Sequence, residues 1–185
     1  MSWIFEHPEE GATGEIAELY ETLRKSRGKV SNILKVHSLR PSALKHHLDL
    51  YMGLMFGPGG LSRCEREMIA VVVSRANQCE YCVAHHREAL ARYRRDENEL
   101  NLICHDFRTA TISPRERALL DYAERVTKAP AQTPPEMIER MRESGLGDAD
   151  ILLTNLIVAY FNFVNRIAMG LGVSFSADEV QGYRV

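Results

Sequence analysis

The sequence predicts an all-α protein, and three observations carry that prediction. Apolar residues recur at three- and four-residue intervals, as in Ile16, Leu19, Tyr20 and Leu23 and again in Leu44, Leu48, Tyr51 and Met55, the spacing of one helical face. Helix-start signatures are frequent: Ser62 with Glu65, Ser113-Pro114-Arg115-Glu116 and Thr133-Pro134-Pro135-Glu136 each set a capping hydroxyl ahead of a glutamate. No stretch of useful length alternates with period two, the mark of a half-buried strand.

The elements follow in order. A first helix covers Gly14–Arg27 and stops at Gly28, and Pro41 opens a second that the run Gly57-Pro58-Gly59-Gly60 breaks. The segment from Ser62 to Asn77 contains Val71, Val72 and Val73, which favour a strand by propensity. Its capping box and its length favour a buried helix instead, and helix is the assignment. Helices are expected over Cys79–Arg95 and Glu97–Phe107, then after Ser113 and after Thr133. The last, capped by Asp148 or Asp150, runs to about Gly170, which makes about eight. The tail from Val173 to Val185 has no strong pattern. Ser62-Arg63-Cys64-Glu65-Arg66-Glu67 echoes Ser113-Pro114-Arg115-Glu116-Arg117-Ala118, a similarity that two capping boxes alone can produce.

The chain of 185 residues suits one domain, with a core at about 61–170, a helical extension at about 1–60 and a tail at about 173–185. With 45% hydrophobic and 26% charged residues, the composition is that of an ordinary globular protein, not a disordered or fibrous one. A net charge of -2 offers no electrostatic footprint for nucleic acid or anionic lipid, so neither is expected as a partner. The N-terminus lacks a basic start followed by an apolar run, and the apolar stretches Met68–Val73 and Ile151–Val164 look too short or too interrupted to span a bilayer. A cytoplasmic protein without a membrane segment is expected. In that reducing compartment Cys64, Cys79, Cys82 and Cys104 point to redox, catalytic or metal chemistry rather than structural bridges.

The sharpest motif is Cys79-Glu80-Tyr81-Cys82-Val83-Ala84-His85-His86. At about 100° per residue, Cys82 lies about 60° from Cys79 on a helical wheel and His86 falls between them in projection, while His85 sits about 60° outside Cys82. One face thus carries two thiols and an imidazole. A thiolate is the reactive form of cysteine, and a helix N-terminus and a nearby imidazole both favour it. A second thiol one turn away can convert a sulfenic acid to a disulfide before over-oxidation. Glu67 stands in an otherwise apolar stretch one helix earlier. It is either the carboxylate that orients the histidine, as the third member of a triad does, or a surface glutamate on the exposed side of its helix.

Glu67, eleven intervening residues, Cys79-x-x-Cys82 and then His86 resemble the signature of the AhpD-like alkylhydroperoxidases of the carboxymuconolactone decarboxylase superfamily. The resemblance extends to Arg40-Pro41, Leu61-Ser62, the Ser74–Asn77 approach and Phe161-Asn162-Phe163-Val164-Asn165-Arg166, and is nearest to the peroxidase-related branch. It implies a helical fold, a trimeric or hexameric homo-oligomer, and reduction of hydroperoxides with electrons from a dithiol protein or small thiol. By that resemblance Cys82 is the peroxide-attacking thiol, Cys79 resolves it, and His86 with Glu67 forms the proton relay. No metal, flavin or haem is required, since both electrons come from the thiols. The family's alkylhydroperoxidase carries a histidine between the cysteines where this chain has Tyr81. A phenol can act there as an auxiliary hydrogen-bond donor but not as a base at neutral pH. The related decarboxylases lack this cysteine pair.

Two alternatives accompany that reading. One is a non-catalytic redox sensor or interaction module; the other is a zinc site, for which Cys79, Cys82 and His86 supply three of the four ligands required. Cys64 and Cys104 read as small buried or half-buried side chains, and His37, His46, His47 and His105 as surface or boundary residues. Asn155, Asn162, Asn165 and Arg166 lie in an apolar helix and require hydrogen-bonding partners on neighbouring elements.

Overall fold

A computed structural model describes residues 2–182. Among them are ten α-helices and no strand: α1 (Gly14–Arg27), α2 (Asn32–Lys35), α3 (Pro41–Phe56), α4 (Arg63–Ala76), α5 (Glu80–Ala91), α6 (Glu97–Asp106), α7 (Pro114–Lys128), α8 (Glu136–Glu143), α9 (Asp148–Gly170) and α10 (Ala177–Val180). The eight longer ones are the expected helices. The four-residue α2 and α10 are additional, and α10 lies in the tail that showed no pattern.

Helix α4 is the centre of the bundle. Every residue from Glu65 to Ser74 is buried, because α5, α6, α7 and α9 all pack around it. That all-round burial explains why the valine run reads ambiguously from sequence: a fully enclosed helix has no polar face to reveal its period. Its N-terminus is fixed by the expected capping box, in which the Ser62 hydroxyl accepts from the Glu65 N–H at 3.2 Å and the Glu65 carboxylate accepts from the Ser62 N–H at 2.7 Å. Ser113 and Glu116 form the same box at the start of α7. A second, smaller apolar cluster, built from Ile16, Tyr20, Leu23, Val30, Leu34 and Leu44, holds the N-terminal extension together. Ile33 packs against both clusters and joins them.

Several local expectations differ from the structure. Thr133 does not cap α8: the two prolines after it carry the first turn, Pro135 becomes the N-cap, and the helix begins at Glu136. Neither Asp148 nor Asp150 is the N-cap of α9, which is Gly147. Asp148 instead pairs with Arg142 at 2.9 Å, and Asp150 accepts the Gly60 N–H at 2.7 Å, tying down the glycine-rich loop. Helix α9 is 23 residues long and apolar enough to cross a membrane, contrary to the sequence expectation. Half of its apolar window is buried, and its asparagines bond to neighbouring helices: Asn155 to the Tyr122 hydroxyl, Asn162 to Thr127 and Asn165 to Ser74. It packs as a core helix. His47 is 5% exposed rather than a surface residue, because His37 and the α9 residues Tyr160 and Phe163 pack against its ring.

Candidate active site

The turn between α4 and α5 positions the cysteine pair. Gln78 adopts a left-handed backbone with φ 60°, which reverses the chain within Asn77–Cys79. The Cys79 N–H then donates to the Ser74 carbonyl at 2.9 Å. Cys79 is the N-cap of α5, and Cys82 occupies its first turn, where the helix dipole favours negative charge. Both cysteines are buried, at 1% and 2% exposure.

The two thiols are close enough to shift each other's ionisation. The neighbouring Cys79 thiol raises Cys82 well above the ordinary thiol range, and burial pushes it further up. The neighbouring Cys82 lowers Cys79, against its own burial. Ser74 and Asn165, the polar side chains beside the Cys82 sulfur, favour its charged form. Asn165 Nδ2 in turn bonds to the Ser74 oxygen at 3.1 Å, and its carbonyl oxygen accepts from Asn77 at 2.9 Å, so both supports are held in place.

Glu67 is fully buried and lies between His86 and Arg63. Its Oε2 accepts from His86 Nδ1 at 2.6 Å, and Oε1 lies 2.5 Å from Arg63 Nη2. Arg63 is itself anchored to the Met55 carbonyl at 2.7 Å and stacked on the Phe56 ring at 3.7 Å. A buried carboxylate needs such partners to remain ionised. Since the carboxylate only accepts, His86 Nδ1 carries the proton and Nε2 is left as the basic nitrogen of the neutral ring. The surface-glutamate alternative for Glu67 is thereby excluded.

Cys82 and His86 line one cavity of about 100 Å³. Its walls are largely aromatic and aliphatic, with Ile33, Leu34, Tyr51, Tyr160 and Phe161 among them. The N-terminal extension therefore forms part of the site, across the boundary the sequence drew near residue 60. Cys79 stays behind Cys82 and does not line the cavity.

Tyr81 also lines this cavity, but its hydroxyl is committed elsewhere. It accepts the Ile33 N–H at 3.1 Å and donates to Glu179 Oε1 at 3.0 Å. Glu179 further accepts the Asn32 N–H at 3.0 Å and lies 2.6 Å from His85 Nε2. Burial pushes Glu179 up, but these partners outweigh it and hold the carboxyl at about 2. Lys29 completes the latch by donating to the carbonyls of Asp178, Glu179 and Gln181. Sequence reasoning missed Glu179 because the tail carries no pattern, and missed Ser74 because one serine in an apolar run is not distinctive. Asn165 was legible as a buried amide needing a partner. Among the described residues no group of three His, Cys, Asp or Glu side chains is arranged to hold a metal ion, so the zinc alternative lacks a ligand set there.

An all-helical bundle with a buried Cys-x-x-Cys pair at a helix N-terminus, beside a carboxylate-bound histidine, defines a class of thiol-bearing helical proteins. Residues 41–125 match the carboxymuconolactone decarboxylase family. Over almost its whole length the chain is similar to two solved structures at 30% identity. One is a peroxidase-related protein from Silicibacter sp. TM1040, with a TM-score of 0.89, covering 99% of this chain and 96% of that one. The other is a peroxidase-related protein from Ralstonia eutropha JMP134 described as an alkylhydroperoxidase AhpD core, with a TM-score of 0.87 and coverage of 97% and 94%. The protein YdfG of Bacillus subtilis (strain 168) is 27% identical over 146 residues, 77% of this chain and 96% of its own length. The chain belongs to the AhpD-like carboxymuconolactone decarboxylase superfamily.

Proposed function

We propose that the protein is a thiol-dependent hydroperoxide reductase. The observation that carries this reading is that Cys82 and His86 share one cavity while the opposite nitrogen of His86 is bound to the buried Glu67 carboxylate. In the reaction, His86 Nε2 takes the Cys82 proton, and the thiolate attacks the terminal oxygen of the hydroperoxide. The O–O bond breaks, Cys82 becomes a sulfenic acid, and the imidazolium returns the proton to the departing alkoxide as an alcohol. Cys79 then loses its thiol proton to solvent and attacks the sulfenic sulfur, forming the Cys79–Cys82 disulfide and releasing hydroxide, which takes up a proton to become water. A dithiol protein or small thiol reduces the disulfide by exchange. One hydroperoxide and two thiols thus yield one alcohol, one water and one disulfide.

The similarity to peroxidase-related proteins supports the same reading. Tyr81 acts in it as a positioning residue for the C-terminal latch rather than as an auxiliary acid. Steady-state turnover with a hydroperoxide and a dithiol tests the proposal: wild type turns over and Cys82→Ser does not. A wild-type protein that forms the disulfide once and is never reduced by any thiol would instead be a redox sensor.

A further inference from the structure

One buried set of titratable groups has no part in the scheme above. His37, His47 and Tyr160 form a continuous chain from the core to the cavity wall. His37 Nδ1 lies 2.8 Å from the Ile33 carbonyl oxygen, His47 Nδ1 lies 3.1 Å from His37 Nε2, and His47 Nε2 lies 2.7 Å from the Tyr160 hydroxyl. Both His47 and Tyr160 line the cavity that holds Cys82, so their hydrogen bond lies in its wall.

The direction of this chain is fixed from its inner end. A carbonyl only accepts, so His37 Nδ1 carries a proton and, in the neutral ring, Nε2 is bare. His47 must then donate from Nδ1, which leaves its own Nε2 bare and obliges Tyr160 to donate its only proton there. Both rings are neutral at ordinary pH. Burial lowers His37, and burial together with the adjacent His37 lowers His47 to about 3. The phenol oxygen consequently has no proton to offer the cavity, only lone pairs. Among the described residues no donor occupies them.

Resting on the peroxidase reading, we infer that Tyr160 is a substrate-orienting residue, whose phenol oxygen, with its proton committed to His47, accepts the O–H of the hydroperoxide. A hydroperoxide has one such proton, and it sits on the terminal oxygen that Cys82 attacks. Accepting it holds that oxygen at the cavity wall and leaves its other side open to the sulfur. The proton stays on the transferred oxygen and becomes the sulfenic acid hydrogen, so no proton transfer through the chain is needed. His47 and His37 are positioning residues: they touch no substrate and set which way the phenol turns.

The test is a double-mutant cycle on KM for tert-butyl hydroperoxide, with circular dichroism of each variant to verify folding. Tyr160→Phe is expected to raise KM by about tenfold, the effect of one lost hydrogen bond, with kcat within about twofold, because the bond is made equally before and during attack. His37→Phe frees His47 to adopt its other tautomer and turn the phenol proton into the cavity. It is expected to raise KM in wild type and to add nothing in the Tyr160→Phe background, a non-additivity that loosened packing would not produce. A wild type that turns over hydroperoxide alongside an unchanged KM in Tyr160→Phe, or additive effects of the two substitutions, would overturn the inference and leave the peroxidase reading standing. A wild type inert to every hydroperoxide would overturn both.

Discussion

Glu67 decides which nitrogen of His86 is basic, and Cys79 shifts the ionisation of Cys82. The first relation was readable from the sequence, because a glutamate in an apolar run and a histidine one turn past a cysteine pair are both local signals. The second was not, since it depends on how deeply the two sulfurs are buried together. His86→Ala should slow peroxide oxidation of Cys82 by about a hundredfold at neutral pH, the lower range of a positioned general base, as followed by stopped-flow thiol loss. Glu67→Gln leaves the ring in place but exchanges an acceptor-only carboxylate for an amide that donates as well as accepts, so the tautomer is no longer fixed and a smaller slowing in the same direction is expected. The effect of Cys79 on Cys82 also has a readout. Because the Cys79 thiol is the leading cause that raises Cys82, Cys79→Ala should move Cys82 ionisation to lower pH. Titration of thiolate ultraviolet absorbance measures this, and an unmoved or higher midpoint would contradict Cys79 as the cause.

At the level of elements, α4 and α7 announce themselves through capping serines, first-turn glutamates and punctuation by glycine and proline. Their registers follow from local chemistry. The latch on α10 does not, because the partners Tyr81 and Glu179 lie 98 positions apart and the segment is too short to show a period. His47 was misplaced for a related reason: it lies beside the apolar stripe of α3, and its burial is imposed by His37 and by α9. The latch predicts a pH dependence. Glu179 falls from its ordinary 4.5 to about 2 on folding, so its contribution to stability is fully present above about pH 4.5 and is lost as pH falls through about 2. Acid denaturation of Glu179→Gln should therefore show a shallower loss of stability across that window than wild type. A parallel curve would mean the carboxylate does not hold the segment down.

For the whole molecule, residues of the N-terminal extension and of the core line the same cavity, and the division near residue 60 has no counterpart in the site. The expected homo-oligomer is retained as a proposal, with a second copy as the occupant of the outer face of α9. Leu152, Leu156, Ala159 and Phe163 are exposed there at helical spacing with no charge between them along the stripe. A charge placed in the middle of such a face opposes burial against a copy. Leu156→Glu should shift light-scattering mass from an oligomer to a monomer without changing helical content, whereas a monomeric wild type would leave the stripe unassigned.

The central claim is that a hydroperoxide oxidises Cys82 and that Cys79 closes on it. Peptide mapping by mass spectrometry after one equivalent of hydroperoxide tests this most directly. Wild type should yield an intramolecular Cys79–Cys82 disulfide, Cys79→Ser should hold Cys82 as a trappable sulfenic acid, and Cys64 and Cys104 should remain reduced. The account would be contradicted by an unmodified cysteine pair, or by oxidation that begins at Cys79 and persists in Cys82→Ser.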